Sequence, residues 1–139
     1  INSNGIPNLA GGKFVSVVFL PKLLLKNYSN AIEKNYKVVI SIPSSMCDEN
    51  YFAMNSNISG FTANHTIFSF QAREPLFQDE TITIIEPKLT VSAKNINEFL
   101  TESIYLNIYY SSGMKSKEYK LSEVFLYNGK ILCPSDFTE

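Results

Sequence analysis

The stretch Tyr36-Lys-Val-Val-Ile-Ser-Ile42 decides the fold, because its side chains alternate with the two-residue period of a β-strand. One face carries only apolar and aromatic side chains, those of Tyr36, Val38, Ile40 and Ile42. Lys37 and Ser41 lie on the opposite face. A strand with one apolar and one polar face is typical of an antiparallel sheet that covers a core. We therefore predict a half-buried strand over this stretch.

Comparable runs recur along the chain and predict six further strands. They are Phe14–Leu20, Thr66–Phe70, Thr81–Glu86, Leu89–Ala93, Ile104–Tyr110 and Tyr119–Tyr127. In the last run the alternation shifts phase at Val124, which predicts a β-bulge. Two segments, Leu23–Lys34 and Asn95–Glu102, have at best the spacing of short helical connections. In the second we expect Asn95 to cap the helix and Phe99 to face the core.

Turn-forming residues separate these runs. Asn128-Gly129 predicts a type I′ hairpin turn, because both central residues of that turn need a positive φ. Ser111-Ser112-Gly113 closes the strand that precedes it. Glu86-Pro87 separates two runs, because proline has no N–H to donate to a ladder. The polar stretch Asn50–Asn64 is predicted to be a long exposed loop.

Seven or eight short strands with regular turns predict an all-β fold, in which two antiparallel sheets pack face to face. We expect an immunoglobulin-like β-sandwich with one or two short helical connections, forming a single domain over residues 1–139. The chain has no tryptophan, so the Cys-Trp-Cys core of antibody domains is missing. A jelly roll or a pilin-like sandwich remains an alternative.

The composition argues against several classes of partner. The chain has 12 basic and 13 acidic residues and a net charge of −1, so we do not expect it to bind nucleic acid. No apolar run approaches the ~18 residues that span a bilayer. Contact with a membrane is therefore expected only through other parts of a parent protein. Because the chain starts at Ile1 without a signal peptide, we expect it to be a piece of a larger ectodomain.

The sequence contains no recognisable pattern of catalytic or metal-ligating residues. His65 is the single histidine, and we expect it to lie at the surface. A zinc site needs four ligands in close register, and a cysteine nucleophile needs a nearby base. The glycines form neither a phosphate-binding loop nor a dinucleotide fingerprint. We therefore expect a protein that is not an enzyme and that holds no cofactor or metal.

The chain has two cysteines, Cys47 and Cys133, which are 86 residues apart and follow apolar runs. One interpretation is a disulfide that joins the two strand ends, as in proteins that fold outside the cytosol. The alternative is a pair of unrelated buried thiols. We favour the disulfide, because the other features suggest an ectodomain.

Three asparagines fit the N-glycosylation pattern Asn-x-Ser/Thr: Asn27, Asn57 and Asn64. Asparagine, serine and threonine are so common here that chance gives about two such matches by composition alone. The three positions are therefore possible glycosylation sites on a secreted protein.

Tyrosines are concentrated on one predicted strand. Tyr105 and Tyr109 alternate with apolar residues, and Tyr110 ends the strand. They either pack within the sandwich or form an exposed strip that binds a protein or a glycan. These three tyrosines are therefore candidate interface residues.

Two parts of the chain resemble a known family. Tyr36-Lys-Val-Val-Ile-Ser-Ile42 leading to Cys47 looks like the first strands of domain III in the hapless-type gamete fusion proteins, where a Tyr-x-Val-x-Ile/Val strand runs into a cysteine. Tyr127-Asn-Gly-Lys-Ile-Leu-Cys133 is compatible with the closing hairpin of such a domain. A composition rich in Asn, Lys and Ile suits an apicomplexan version, such as that of a malaria parasite.

The resemblance implies an extracellular, non-catalytic domain at the cell surface that acts in fertilization. These gamete proteins resemble class II viral fusion proteins, and domain III relocates and docks on the trimer core during membrane fusion. Its partners would be other domains of the same protein and of its trimer. The alternative is a β-sandwich adhesin or pilus-type subunit that binds a receptor or a neighbouring subunit. Ile1–Lys13 lacks the alternation expected of a donated strand, which counts against the pilus subunit.

Overall fold

The computed structural model describes the backbone of residues 3–53 and 56–138, with side chains for residues 4–47 and 58–138. The strands in this part of the chain are β1 (Ser3–Asn4), β2 (Ile6–Ala10), β3 (Lys13–Phe19), β4 (Leu23–Lys26), β5 (Tyr36–Pro43), β6 (Cys47–Ala53), β7 (Ser56–Phe61), β8 (His65–Gln71), β9 (Thr81–Val91), β10 (Ser103–Tyr110), β11 (Gly113–Lys120) and β12 (Phe125–Leu126). Two short helices are α1 (Ile96–Thr101) and α2 (Leu121–Val124), and a 3-10 turn spans Pro134–Asp136. Within the described residues, no helix has the length and apolar character that a membrane crossing requires.

Two antiparallel sheets form the body of the molecule. The first, which we call the β5 sheet, has the strand order β11-β10-β5-β8-β7. The second, which we call the β9 sheet, has β9 at its centre, β3 and β4 along one side, β6 along the other, and β2 outside β3. The short strands β1 and β12 pair with each other in parallel. The expected all-β sandwich with short helices is therefore confirmed.

The strands β3 and β4 share a single position beside β9. The register with β9 is continuous across the gap between Phe19 and Leu23. This register sets Pro21 opposite Pro87, and neither proline has an N–H to donate. The hydrogen-bond ladder is therefore interrupted at this point, although the two paired segments keep their directions.

The neighbours within the two sheets match those of immunoglobulin sandwiches. The series β2, β3/β4, β9 and β6 corresponds to strands A, B, E and D, and β5, β10 and β11 correspond to C, F and G. The chain differs after β5, where it crosses to the β9 sheet as β6 before it returns to pair β8 with β5. The β5 sheet thus gains two extra strands beyond β5, of which β8 pairs with β5 and β7 pairs with β8.

The core lies between the sheets and follows the alternation of β5. Val38, Ile40 and Ile42 are at most 1% exposed, as the sequence pattern predicts. The same cluster of buried side chains contains Phe19 from the β9 sheet and Phe99 from α1. Full burial of an apolar side chain of this size contributes about 2 kcal/mol. These residues therefore hold the two sheets and the helix together.

Several local predictions are confirmed. The segment Asn95–Glu102 contains α1, and Phe99 is buried as expected. Asn95 occupies the N-cap position, but its side-chain oxygen accepts from the Ser92 N–H (2.8 Å) rather than from the helix. The turn at Asn128-Gly129 has positive φ at both residues, 47° and 77°, as a type I′ turn requires.

Other local predictions are wrong. Leu23–Lys34 is not helical: it starts as strand β4, since the apolar run pairs with β9, and then becomes irregular. Asn50–Asn64 is not one loop, because its backbone contributes to β6 and β7. These polar strands lie at the edges of their sheets, where alternation is weak.

The boundaries also differ near two other segments. The runs Thr81–Glu86 and Leu89–Ala93 belong largely to the single strand β9, which continues through Pro87. The phase shift at Val124 is not a bulge, since α2 separates β11 from β12 in the run Tyr119–Tyr127. The N-terminal strands β1 and β2 were not predicted, because their sequence has little alternation.

Candidate functional site

One end of the β5 sheet extends past the β9 sheet and leaves an open groove. The strands β10 and β11 continue the β5 sheet, but β4, which lies across from them, is the last strand of its own sheet at this level. No strand lies beyond β4 because β2, the next strand of this sheet, pairs only with β3, through Ile6–Ala10 and residues 13–18. We call the resulting cleft the edge groove; its volume is about 450 Å³.

The edge groove has an apolar floor and a basic, aromatic rim. The floor consists of the half-buried Ile108 and Tyr110 over core side chains that are at most 9% exposed, those of Leu23, Val38, Leu76, Ile84 and Leu106. The rim includes Lys26, Tyr28, Lys115 and Lys117, together with one carboxylate, that of Glu33. Leu24 and Tyr28 also line the groove and are 58% and 80% exposed. The groove therefore presents apolar surface beside cationic side chains.

The cationic side chains come from the inner face of β11. Lys117 pairs with Leu106, and Lys115 pairs with Ile108, so each lysine lies beside a floor residue. Cross-strand partners share one face of a sheet. Among the described residues, neither lysine has a carboxylate within ion-pair distance. Three lysines against the single carboxylate of Glu33 give this rim an excess of positive charge.

The outer edge of β4 has unpaired backbone groups. The Asn27 N–H donates to the carbonyl of Glu80, the residue directly before β9 (3.1 Å), so the backbone N–H of Asn27 points towards β9. Residues of an antiparallel strand alternate between the two neighbours. Leu25 therefore bonds towards β9, while the N–H and C=O groups of Leu24 and Lys26 point outwards. In the described chain, no strand pairs with that side of β4.

A buried asparagine fixes the loop that follows β4. Asn27 is 7% exposed, and its amide nitrogen donates to the carbonyls of Ala31 (2.8 Å) and Leu76 (2.9 Å). Its oxygen accepts from the N–H and the hydroxyl of Ser29. This arrangement sets the position of Tyr28, whose ring lies 4.9 Å from the Lys26 ammonium. The end of the groove that is lined by Asn27, Tyr28 and Ser29, which we call its closed end, is therefore held by hydrogen bonds.

The three candidate tyrosines lie on two faces of β10. Tyr110 lines the edge groove, whereas Tyr105 and Tyr109 are on the outer face and are 41% and 42% exposed. A hydrogen bond to Glu118 raises the pKa of the Tyr105 phenol above its ordinary value, and partial burial adds to the effect. The structure does not bring the three tyrosines together as one strip.

The expected disulfide is not formed. Cys133 is exposed, and its sulfur lies 3.7 Å from the Ile131 carbonyl. Cys47 is half-buried and pairs with Leu89 in the β9 sheet. The segment after Cys133 instead joins the sheet at the far end of β3, where Phe137 bridges Phe14. Cys47 therefore lies at the level of Phe19, at one end of β3, whereas the segment after Cys133 joins the other end.

The possible glycosylation sites differ in accessibility. Asn64 is exposed in the turn between β7 and β8. Asn27 is not an available acceptor in the folded chain, because its side chain is buried and its amide nitrogen donates to two carbonyls. Asn57 lies in β7, and its side chain falls outside the described residues.

The single histidine is less exposed than we expected. His65 Nε2 lies 3.5 Å from Glu102 Oε2, and the imidazole ring is 5.9 Å from the ring of Tyr105. Among the side chains that the structure describes, no three His, Cys, Asp or Glu residues are grouped as metal ligands would be. His65 therefore belongs to the packing between β8 and the end of α1.

Sequence reasoning missed the edge groove. Its basic rim lies on Gly113–Lys120, which lacks an apolar alternation, so we did not predict a strand before Tyr119. Its open edge lies on β4, which we interpreted as helical. A detectable signal was Leu23-Leu-Leu-Lys26, since apolar residues on both faces of a short strand indicate partners on both sides.

Comparisons with known proteins identify no relative of this chain. No family model matches the chain, and neither the curated proteins nor the solved structures contain a significant match.

Proposed function

We propose that this chain is a non-catalytic docking domain of a larger extracellular protein and that it binds its partner through the edge groove. The observation that carries the proposal is the unequal width of the two sheets, which leaves the half-buried Ile108 and Tyr110 on the inner face of β10 without a strand across from them. Exposed apolar surface next to a polar rim is typical of protein-binding sites.

The role closest to this description is that of domain III in the hapless-type gamete fusion proteins. Such a domain would sit at the cell surface, swing during fusion and dock on other domains of its trimer. A rigid antiparallel sandwich with one docking surface suits that work. The strand Tyr36–Ile42, on which the resemblance rests, supplies the buried centre of the β5 sheet.

A second candidate is a β-sandwich adhesin or pilus-type subunit. The open edge of β4 beside an apolar groove favours it, since subunits of this type accept a strand from a neighbour. The N-terminal segment does not provide such a donor strand, because β1 and β2 pair within the chain itself.

Fab fragments raised against this domain distinguish the two candidates. Gametes that carry the parent protein are mixed with a Fab whose binding is lost in the Tyr28→Ala variant. The fusion role predicts that the Fab blocks cell merger while adhesion continues. If this Fab blocks only the initial attachment, the adhesin is the better assignment. A Fab against Tyr109 on the outer face of β10 serves as the matched control, and we expect it to leave merger intact.

A further inference from the structure

We infer that the edge groove receives an extended acidic strand of a partner protein, which pairs with β4 and places its apolar side chains on β10. The inference rests on the docking role proposed above and specifies the chemistry of the partner. Three properties of the groove carry it: the unpaired edge, the apolar floor and the excess of lysines over carboxylates.

The unpaired edge requires an extended backbone. Leu24 and Lys26 present their N–H and C=O groups to the open side of β4, in the same direction in which β2 pairs with β3. An added strand would satisfy these groups and would extend the β9 sheet over β10 and β11. A helix has no such free backbone groups to offer along its length, because they are bonded within it.

The floor requires apolar side chains on the inner face of the added strand. Side chains alternate along a strand, so every second residue would point towards Leu106, Ile108 and Tyr110. The spacing between packed sheets is ~10 Å, which medium-sized apolar side chains fill. Burial of each such side chain would contribute to affinity.

The rim requires negative charge. Lys115 and Lys117 lie beside the floor on β11, and Lys26 lies at the edge of β4. The outer face of the same β10–β11 hairpin satisfies its own polar groups, since Ser116 donates to Asn107 (2.7 Å). The inner lysines have no carboxylate partner among the described residues. A partner with carboxylates near these ammonium groups is therefore favoured over a neutral or basic one.

A titration with two synthetic peptides tests the inference. The probes are capped peptides of alternating glutamate and valine, and of alternating lysine and valine, added to the isotope-labelled chain and followed by amide NMR. We expect the glutamate peptide to shift the amide signals of Leu24, Lys26 and the strands β10 and β11. The lysine peptide should leave these signals unchanged.

Two variants separate the edge from the charge. Leu24→Pro removes an outward N–H without removing a bond to β9, and it should abolish the shifts. The double variant Lys115→Glu, Lys117→Glu should lower the affinity for the glutamate peptide roughly tenfold, because two charge pairs are lost. The matched control is Lys37→Glu, Lys94→Glu, which reverses two exposed lysines outside the groove and should bind normally. Amide spectra of each free variant verify that it is folded.

Several outcomes overturn the inference. They are the absence of shifts at millimolar peptide, shifts confined to another face, and equal binding of both peptides. If laurate alone shifts the groove signals, the groove binds a lipid. If sedimentation shows a dimer in which the β4 amides are protected from exchange, the groove binds a second copy of this chain. Failure here leaves the docking role intact if groove-directed Fab fragments still block merger. The docking role itself fails if no Fab against this domain affects merger or attachment.

Discussion

Asn27 shows how a single side chain shapes the closed end of the edge groove. Its amide donates to two carbonyls from different segments, those of Ala31 and Leu76. Asn27→Asp keeps the size of the side chain but removes both donors and adds a buried charge. We expect the free energy of unfolding to fall by about 3 kcal/mol.

Urea unfolding followed by circular dichroism measures this loss. The matched control is Asn30→Asp, since Asn30 is exposed and uses only its oxygen, which accepts from Gln78. The control should change the stability by less than about 0.5 kcal/mol. Equal losses in the two variants would show that the Asn27 amide does not hold the loop.

Gly5 lies where the N-terminal segment crosses the core. A Cβ at this position would come within 2.5 Å of Val17 Cγ1 and 3.2 Å of the Phe19 ring. Both of these side chains are fully buried, so they have little room to move. Gly5→Ala should therefore destabilise the fold by about 2 kcal/mol.

Gly60→Ala is the control for this prediction, because a Cβ at Gly60 meets nothing within 4 Å. Thermal unfolding of both variants gives the comparison. If Gly5→Ala melts at the same temperature as Gly60→Ala, the N-terminal segment does not pack on Val17 as described.

The ionisation of Tyr36 makes the stability of the fold depend on pH. Burial raises the pKa of its phenol above the ordinary value, and the carboxylates of Glu80 and Glu74 raise it further. In the unfolded chain this phenol ionises near pH 10. Because the folded chain holds the proton more tightly, its stability should fall as the pH rises from about 10 through the higher folded pKa.

Ultraviolet titration of tyrosinate tests this expectation. The native chain should show delayed ionisation, and Tyr36→Phe should remove part of the delay and part of the alkaline loss of stability. Tyr105→Phe removes the other raised phenol and separates the two contributions. Ionisation of every tyrosine near pH 10 in the native chain would contradict the burial of Tyr36.

At the scale of elements, β4 is the strand whose two sides differ most. Leu25→Pro would remove an N–H that bonds to β9, and we expect a loss of about 3 kcal/mol or more. Leu24→Pro would remove an N–H that points to the open edge, and we expect a much smaller loss. Chemical denaturation of the two variants gives the comparison. Equal losses would mean that β4 does not have one open side.

The elements also show what the sequence could and could not predict. The strand Tyr36–Ile42 and the helix near Phe99 were predictable, because an alternating or capped pattern is local. β7 and β11 were not, since strands at a sheet edge need only one paired side and tolerate polar residues on both faces. For the edge groove, the sequence could at most indicate the strand Leu23–Lys26, because the groove itself depends on which strands lie opposite each other.

At the scale of the whole molecule, packing rather than a covalent link holds the two ends of the chain. Phe14 contacts both Tyr127 and Phe137, with ring centroids 5.0 Å and 5.7 Å apart, and the Thr138 N–H donates to the Phe14 carbonyl. Cys133→Ser should therefore change the stability by less than about 0.5 kcal/mol. A disulfide across so long a loop would instead contribute about 4 kcal/mol. Calorimetry of the wild type and the variant under non-reducing conditions decides between them.

The sandwich as a whole has an immunoglobulin-like set of neighbours, in which the first strand covers only part of the second. Strand A of that arrangement is represented by β2, which covers β3 and stops before β4. The edge groove is thus a consequence of topology, and its chemistry comes from β11. This combination connects the fold to the proposed docking function.

Residue-resolved amide exchange tests the central claim most directly, in the chain alone and in the natural protein purified with its partners. In the chain alone, we predict rapid exchange at Leu24 and Lys26 and slow exchange at Leu25. In the natural protein, Leu24 and Lys26 should become protected, while Tyr109 on the outer face of β10 exchanges as before. Protection of Leu24 and Lys26 in the chain alone, or unchanged rapid exchange at both in the natural protein, would contradict the account.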